Sequence, residues 1–326
     1  MHRRDFLRAS LAAAGAAALP ACATPGAASP SAPAGRLPSS PLPQRVLGRT
    51  GVSLPILGLG GFHLGACADE PAARALLETA LAEGVRLLDN AESYQDGRAE
   101  SWMGAGLAAL GVRDEVFLMT KTFKPDGRTA ESAERDLEGS LARLRTDRLD
   151  LWQLHSVQSV EDVDRAFAPG GAMEFIRAQQ ATGVVRFTGV TGHVNPAANL
   201  RALEWWDRGL TFDTMQMPIN PLDALQLSFQ QRVLPELRRR GIGVLAMKTS
   251  ASGALLREGV CTIDECLRYA WGLPVDVAIV GLETPEQVRQ DAALARAAPM
   301  DEAERAALLE RIRPRASLSL EWYKTP

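Results

Sequence analysis

The sequence has 326 residues, a net charge of −3, 46% hydrophobic residues and 23% charged residues, which is typical of a chain that buries one large core. No stripe of basic residues stands out, so the composition argues against a nucleic-acid-binding surface. The four cysteines are Cys22, Cys67, Cys261 and Cys266. They are too few and too scattered to predict a disulfide framework, and no metal site is predicted.

The first 23 residues have the order of an export signal. Arg3 and Arg4 precede a weakly apolar, Ala-rich run, which is followed by small residues. The paired arginines followed by Asp-Phe-Leu resemble a twin-arginine export signal. This resemblance implies the twin-arginine export machinery as a partner and a periplasmic location. An amphipathic helix is the alternative, whereas a membrane-spanning anchor is disfavoured because the apolar run is far shorter than about 20 residues.

The end of this segment also predicts a lipid anchor. Residues 19–22, Leu-Pro-Ala-Cys, resemble a lipoprotein cleavage box in which Cys22 carries the lipid, and ordinary cleavage after Ala23 is the alternative. Residues 24–43 are mostly Ala, Pro, Ser and Gly with almost nothing to bury, so they predict a flexible linker. The folded domain is therefore expected over residues 44–326.

From Val46 onward, short apolar runs alternate with amphipathic segments. Near-continuous apolar strands are typical of a parallel sheet that is buried on both faces. The predicted strands cover residues 54–61, 85–90, 115–121, 149–155, 185–192, 213–220, 243–249 and 275–281.

Helix start signals lie between these strands. Thr262 and Glu265 have the spacing of a capping box, and Pro285 stands at a first helical position. Eight strands that alternate with about eight helices predict an α/β fold, the (β/α)8 TIM barrel. Residues 45–58 predict a β-hairpin that plugs the barrel bottom. A doubly wound Rossmann sheet is the competing architecture, but it needs a G-x-G-x-x-G spacing after the first strand that this sequence does not have.

Three successive predicted strands end in an ionisable residue: Asp89, Lys121 and His155. Tyr94 follows the first of them by five residues. Any one of these could be an ordinary loop residue. Because the C-terminal ends of barrel strands meet at one face, where active sites lie, the succession predicts a single site.

These residue types suit one kind of chemistry. A Lys ammonium within a few ångströms lowers the pKa of a Tyr from about 10, and Asp89 would keep Lys121 charged. His155 could donate to a carbonyl oxygen that gains negative charge. The set predicts carbonyl reduction or alcohol oxidation with a cofactor that carries the hydride. A hydrolase or an isomerase on this barrel would need a metal or paired carboxylates at the strand ends, and neither is evident.

From about Arg45 to Leu309 the chain resembles the aldo-keto reductases. Residues 87–107, LLDNAESYQDGRAESWMGAGL, are similar to a signature in which Asp and Tyr are five apart and a Glu lies four before a Gly, as Glu100 and Gly104 do. "VFLMTK" and "LDLWQLH" supply the Lys and the His. The resemblance implies a catalytic tetrad with the Tyr as general acid: Asp89, Tyr94, Lys121 and His155.

The same resemblance implies a nicotinamide cofactor. Thr191 and Gly192 take the positions of a carboxamide-binding pair, the second of which is usually Asn, and Gln216 matches a carboxamide-binding Gln. Met247 stands where a Tyr often stacks on the nicotinamide ring. The other implied contacts lie toward the pyrophosphate and the adenosine: Lys248, Thr249, Gly253, Gly281, Gln287 and Asp291, the last where Asn is usual.

Alternatives remain for several of these residues. Gln216 could serve the barrel backbone, and Met247 could belong to the core. NADPH is the default cofactor that the resemblance implies, but Arg289 is the one candidate cation for its 2′-phosphate, so NADH stays open. The substrate-pocket candidates are Phe62, His63, Ser93 and Phe123.

The sequence therefore predicts an exported NAD(P)H-dependent oxidoreductase that reduces an aldehyde or a ketone to an alcohol. The alternative is a nicotinamide-binding, redox-sensing protein on the same barrel that is slow or not catalytic.

Overall fold

The computed structural model of the chain describes residues 41–122 and 128–325. Eight parallel strands form a closed barrel in this part, and each strand pairs with the next one along the chain. The barrel closes where the last strand pairs with the first, with Ala278 opposite Leu57. Two hairpin strands come first, β1 (Gln44–Val46) and β2 (Ser53–Pro55), and the barrel strands follow: β3 (Leu57–Gly60), β4 (Leu87–Asp89), β5 (Phe117–Lys121), β6 (Leu149–Val157), β7 (Val185–Gly192), β8 (Thr214–Pro218), β9 (Gly243–Met247) and β10 (Val277–Val280).

Helices follow the barrel strands and confirm the predicted (β/α)8 architecture. The capping box forms as the sequence predicts, because Thr262 Oγ1 accepts from Glu265 N–H at 3.2 Å and Glu265 accepts from Thr262 N–H at 2.9 Å. The helices of the described residues are α1 (Gly61–Gly65), α2 (Glu70–Ala82), α3 (Arg98–Leu110), α4 (Ala130–Leu144), α5 (Val160–Phe167), α6 (Ala172–Thr182), α7 (Pro196–Asp207), α8 (Phe229–Arg232), α9 (Leu234–Arg240), α10 (Ala254–Arg257), α11 (Ile263–Trp271), α12 (Pro285–Arg296) and α13 (Glu302–Ile312).

The first predicted strand, residues 54–61, is two separate elements. Its beginning belongs to β2, which pairs antiparallel with β1, and its middle is β3, the first barrel strand. Ile56 lies between them and donates its N–H to the carbonyl of Pro43 at 2.9 Å. The apolar run is continuous across this break because both elements are buried, so the sequence pattern could not show it.

The hairpin plugs the barrel, as predicted. Leu47 and Leu54 are buried in a core cluster that is separate from the core between sheet and helices. The other buried members of this inner cluster come from the barrel strands: Leu87, Phe117, Met119, Leu151, Leu245, Val277 and Ile279. The hairpin therefore supplies part of the packing inside the barrel.

The main core includes a residue upstream of the predicted domain start. Leu42 falls within the predicted linker, yet it is 4% exposed and packs in the main core. The predicted export signal, the lipobox and linker residues 24–40 lie outside the described residues. None of the helices in residues 41–122 and 128–325 is both long and apolar enough to cross a membrane.

We expect Leu47→Ala to lower the free energy of unfolding by about 2–5 kcal/mol, because it leaves a cavity inside the barrel. Val46→Ala is the matched control, since Val46 is 52% exposed and its truncation should cost less than about 0.5 kcal/mol. Urea unfolding of both variants measures the difference. Equal stabilities of the two variants would contradict a plug that carries core packing.

Candidate functional site

A cavity of about 900 Å³ opens at the C-terminal ends of the barrel strands. Asp89 at the end of β4, Gln216 in β8 and Met247 at the end of β9 all line it. Tyr94 and His155 line the same cavity from the segments after β4 and at the end of β6. The fold thus brings the strand-end residues to one place.

Lys121 is the centre of a buried hydrogen-bonded group. Its Nζ donates to Asp89 Oδ1 at 2.5 Å, to the carbonyl of Asn90 at 2.6 Å and to Tyr94 Oη at 3.3 Å. The side chain of Lys121 is 1% exposed and that of Asp89 is 4% exposed. The ammonium therefore has three oxygen partners, which is the full number that it can serve.

Burial and charge act in opposite directions on these groups. Burial lowers the pKa of Lys121, but the nearby Asp89 and Tyr94 raise it more, so the net direction is upward and the ammonium stays charged. Burial raises the pKa of Asp89 against the effect of Lys121. Burial also raises the pKa of Tyr94, and the lowering by Lys121 does not overcome it. The lowered Tyr pKa that the sequence predicts is therefore wrong for this state, in which Tyr94 keeps its proton.

A tight turn places Tyr94. The carbonyl of Tyr94 accepts from the N–H groups of Gly97 and Ala99 at 3.2 and 3.4 Å, immediately before and within the first turn of α3. The φ angles of Gln95, Asp96 and Gly97 are +47°, +54° and +85°, so three residues in succession are left-handed. This turn lets the phenol return from the helix start to the mouth of the barrel.

Aromatic rings pack on both sides of the phenol. The Tyr94 ring lies edge-to-face against Phe62, with centroids 5.4 Å apart, and against His155 at 5.9 Å. Phe62 is 51% exposed, while its neighbour His63 packs against Gly281, where any Cβ would clash with the imidazole. These contacts fix the ring of Tyr94 between Phe62 and His155.

His155 lies in a β-bulge of β6. The pairing with β7 shifts between Leu154 and Val157, and Ser156 has a left-handed φ of +54°. Ser156 donates its N–H to Thr191 Oγ1 at 2.8 Å. The bulge changes the direction of the strand at its end, and Thr191 holds it from the neighbouring strand.

Arg128 also holds this bulge, and sequence reasoning missed it. Its guanidinium donates to the carbonyls of His155 and Ser156 at 2.8 and 3.0 Å and makes a bidentate pair with Asp162 at 2.8 and 2.9 Å. Arg128 is 4% exposed. It lies 34 residues before Asp162, and no local spacing in the sequence relates the two.

Of the histidines that line the cavity, His155 and His193 are neutral. Burial, followed by the charge of Lys121, lowers the pKa of His155 well below its usual 6.5. Burial and Lys248 lower the pKa of His193 to about 4. A neutral His155 beside Tyr94 can donate one hydrogen bond and accept another.

Gln216 presents an acceptor to the cavity. Its side chain hydrogen-bonds Asp89 and is 2% exposed. Its Oε1 is buried and has no hydrogen-bond partner among residues 41–122 and 128–325. A buried acceptor of this kind normally has a partner, so a ligand amide is a suitable donor.

The structure places most, but not all, of the predicted site residues on the cavity wall. Thr191, Gly192 and Ser93 are not on it, and a Cβ at Gly192 would meet Asn199 Oδ1 at 2.2 Å. Phe123 lies outside the described residues. The predicted cofactor and pocket residues on the wall are Phe62, His63, Gln216, Met247, Lys248, Thr249, Gly253, Gly281, Gln287 and Asp291.

Residues of the C-terminal segment complete the wall, although no sequence motif predicts them. Trp322 lines the cavity and is 66% exposed. Next to it, Lys324 Nζ donates to Asp223 Oδ1 at 2.6 Å and to Glu321 Oε2 at 3.0 Å, and all three side chains are at most 1% exposed. Asn220 Nδ2 donates to Tyr323 Oη at 3.1 Å. The aromatic pair Trp322-Tyr323 in a polar tail was the one available sequence signal.

Asp291 of α12, which lines the cavity, is a buried carboxyl. It is 3% exposed and has neither an ion pair nor a hydrogen-bond partner within the described ranges. Burial raises its pKa to about 7. Between pH 4 and pH 7 the folded protein therefore binds a proton that the unfolded chain releases, so the stability contributed by this group falls as the pH rises.

We expect Asp291→Asn to raise the free energy of unfolding at pH 8 by as much as about 4 kcal/mol, because Asn cannot ionise. The gain should shrink at pH 5, where the wild-type carboxyl is protonated in the folded state. Asp147→Asn, at a side chain that is 86% exposed, is the control for the loss of one carboxylate and should change the free energy of unfolding by less than about 0.5 kcal/mol. A pH-independent effect of Asp291→Asn would argue against a raised pKa.

Comparisons with known proteins agree with this geometry. Residues 56–266 match the model of the Aldo/keto reductase family, and residues 1–20 match that of the TAT (twin-arginine translocation) pathway signal sequence. The chain is 30% identical over 228 residues to a Bacillus subtilis (strain 168) protein named uncharacterized oxidoreductase YrpG, covering 64% of this chain and 67% of that protein. It is 40% identical over 105 residues to methylglyoxal reductase YeaE of Escherichia coli (strain K12), covering 32% and 36%.

The chain thus spans about a third to two thirds of the length of these curated relatives. Among solved structures, an aldo-keto reductase from Klebsiella pneumoniae in complex with NADPH superposes with a TM-score of 0.65 at 24% identity, covering 82% of this chain and 94% of that one. At this identity the likeness concerns the fold. The chain belongs to the aldo/keto reductase family of oxidoreductases, and residues 1–20 carry a twin-arginine export signal.

Proposed function

We propose that the protein reduces an aldehyde or a ketone to an alcohol, with NADPH as the hydride donor. The observation that carries the proposal is the position of Lys121, whose ammonium contacts both the carboxylate of Asp89 and the hydroxyl of Tyr94. A cation at a phenol stabilises the phenolate that remains after proton donation. The name of the relative YeaE, a methylglyoxal reductase, supports a carbonyl substrate.

The wall residues fit a nicotinamide dinucleotide. The buried Oε1 of Gln216, which lacks a partner in the described part of the chain, suits the amide of a nicotinamide carboxamide. Met247 lies beside it for ring packing, while Thr191 and Gly192 support the wall from behind. When bound, the nicotinamide supplies the hydride that the carbonyl carbon accepts.

The remaining wall residues suit the rest of the dinucleotide. Thr249 and Gly253 are proposed to approach the pyrophosphate, and Gly281, Gln287 and Asp291 the adenosine. Arg257 lines the cavity, so it is a candidate cation for a 2′-phosphate, whereas Arg289 is not on the wall. NADPH is the proposed cofactor, and NADH is the alternative.

Tyr94 is the proposed proton donor. Because its pKa is raised, it holds the proton until the carbonyl oxygen gains negative charge, and it then donates from Oη to that oxygen. Lys121 stabilises the phenolate that is left. His155, neutral and next to the phenol, donates a hydrogen bond to the same oxygen and so lowers the cost of its developing charge. Phe62 and His63 border the substrate.

We expect Tyr94→Phe to lower kcat/KM for aldehydes by about 10²–10⁴, because the general acid is lost. The assay follows nicotinamide absorbance with NADPH and a panel of aldehydes. Tyr269→Phe is the matched control, since Tyr269 is buried in α11 away from the cavity and bonds Gln230 Oε1 at 2.8 Å. Equal rates for wild type and Tyr94→Phe would refute this mechanism.

The same experiment tests the alternative function, a nicotinamide-binding protein that senses redox state and is slow or not catalytic. Tight nicotinamide binding without measurable turnover of any aldehyde, unchanged in Tyr94→Phe, would favour a redox-sensing protein. The hydrogen-bonded group of Asp89, Lys121 and Tyr94 favours the enzyme, because a sensor has no need of a tuned proton donor.

The export signal bears on where the reaction takes place. We propose that the twin-arginine machinery delivers the protein to the periplasm and that Cys22 carries a lipid that anchors it to a membrane. The support for the anchor is the lipobox-like Leu-Pro-Ala-Cys of residues 19–22.

We expect the double variant Arg3→Lys, Arg4→Lys to remain in the cytoplasm, because the paired arginines are what the export machinery recognises. Cys22→Ser should still be exported but should move from the membrane fraction to the soluble periplasmic fraction. Cell fractionation with immunoblotting measures both. A Cys22→Ser variant that distributes as wild type does would remove the lipid anchor from the proposal.

A further inference from the structure

Lys248 is a largely buried cation on the cavity wall. Lys248 forms no ion pair with a carboxylate in residues 41–122 and 128–325. Its polar contact is with Ser252 Oγ at 3.5 Å. Burial lowers its pKa. A desolvated cation without a counter-ion is costly, which suggests that its counter-ion comes from a ligand.

The backbone of Lys248 has a strained conformation that a hydrogen bond from Asn220 stabilises. Lys248 has a left-handed φ of +53°, which is strained for a residue with a long side chain. Asn220 Nδ2 donates to its carbonyl at 3.3 Å. Its Nζ lies 4.8 Å from the ring centroid of Tyr323 and 6.0 Å from that of Trp322. The ammonium is therefore directed toward the C-terminal segment of the wall.

This position is next to the proposed reaction centre. The ring of Tyr323 is in edge contact with His193 at 6.2 Å, and the charge of Lys248 lowers the pKa of both His193 and His155. His155 packs on Tyr94. Lys248 is therefore close enough to His155, the imidazole that packs on the phenol, for its charge to act on that imidazole.

The charges around it do not cancel its own. The charge of Lys121 is balanced by Asp89, and the imidazoles of His155 and His193 are neutral. The acidic residues of the wall are Asp89, which pairs with Lys121, and Glu283 and Asp291, which belong to the segment after β10 and to α12. Lys248 is therefore a positive charge on the cavity wall that has no carboxylate partner in the described part of the chain.

We propose that Lys248 binds a carboxylate of the substrate, so that the preferred substrates are aldehydes or ketones that also carry a carboxylate group. This rests on the proposed reductase function and adds the substrate class to it. Lys248 was expected from the sequence to approach the cofactor pyrophosphate, which offers the same anionic chemistry. The two sources of the anion are separated by the following experiment.

Turnover is compared for 2-, 3- and 4-carboxybenzaldehyde and for their methyl esters, which share the ring and the aldehyde but lack the charge. At least one acid should have a kcat/KM about tenfold or more above its ester, the factor expected of one charge-assisted hydrogen bond. Lys248→Met should lower kcat/KM for that acid at least tenfold more than for the ester. Lys248→Arg should keep the preference. The control Arg135→Met, at a side chain of α4 that is 65% exposed, should keep it too.

Equilibrium binding supplies readouts that do not need turnover. NADPH affinity of wild type and Lys248→Met is measured by nucleotide fluorescence, and the binding of benzoate against benzamide by quenching of the tryptophan fluorescence, to which Trp322 contributes. Benzoate binding that is selective and lost in Lys248→Met supports the substrate carboxylate. Weakened NADPH binding with an unchanged acid-to-ester ratio would assign Lys248 to the cofactor phosphates and overturn the proposal.

These experiments distinguish failure of the proposed reductase function from failure of the proposed carboxylate site. If no aldehyde is reduced but benzoate still binds in a manner that requires Lys248, the reductase function fails and the carboxylate site stands. If wild type binds benzoate no better than benzamide and does not distinguish acids from esters, the carboxylate site fails while the reductase function stands. Thermal unfolding of each variant confirms that it is folded.

Discussion

The buried contact between Lys121 and Asp89 is the constraint on which the candidate site depends. Two charges can be taken out of water only when each finds a partner and further hydrogen bonds, and Lys121 finds these in Asp89, Asn90 and Tyr94. The partners come from neighbouring strands, β4 and β5, so the register of the barrel decides whether they meet. Closure of the barrel, with the hairpin packed inside its bottom, is therefore a precondition of the proposed chemistry and not merely its scaffold.

A second constraint acts on the other side of Tyr94. His155 faces the phenol because β6 has a bulge at its end. Arg128 stabilises this bulge by donating hydrogen bonds to the carbonyls of His155 and Ser156, and Thr191 Oγ1 accepts a hydrogen bond from the N–H of Ser156. Arg128 is in turn fixed by Asp162 at the start of α5. Arg128 before α4, Asp162 in α5 and Thr191 in β7 thus determine one imidazole position. Their contacts explain how a strained φ at Ser156 is maintained.

Much of this site was predictable, for a physical reason. Residues that end parallel barrel strands must converge, so Asp89, Lys121 and His155 could be grouped from sequence alone. Contacts between segments that are distant in the sequence, such as that of Arg128 with the bulge of β6, could not be predicted, because no periodicity relates the two segments. The net effect of burial on the Tyr94 pKa was likewise invisible, since it depends on how many atoms surround the phenol. The split of residues 54–61 into β2 and β3 escaped detection because both halves are buried.

The ion cluster under the C-terminal segment has a consequence for how the cavity adapts to ligands. Lys324 is the cation for two buried carboxylates, one on its own segment and one, Asp223, in the segment after β8. If the C-terminal segment moved away alone, the buried carboxylate of Asp223 would lose its counter-ion. It would then have to be hydrated, which requires water to enter a buried part of the protein. The wall that carries Trp322 is therefore bound to the barrel as one cooperative unit, which either stays or leaves as a whole. The position in which Trp322 meets a ligand therefore depends on the buried charges beneath it and not on Trp322 alone.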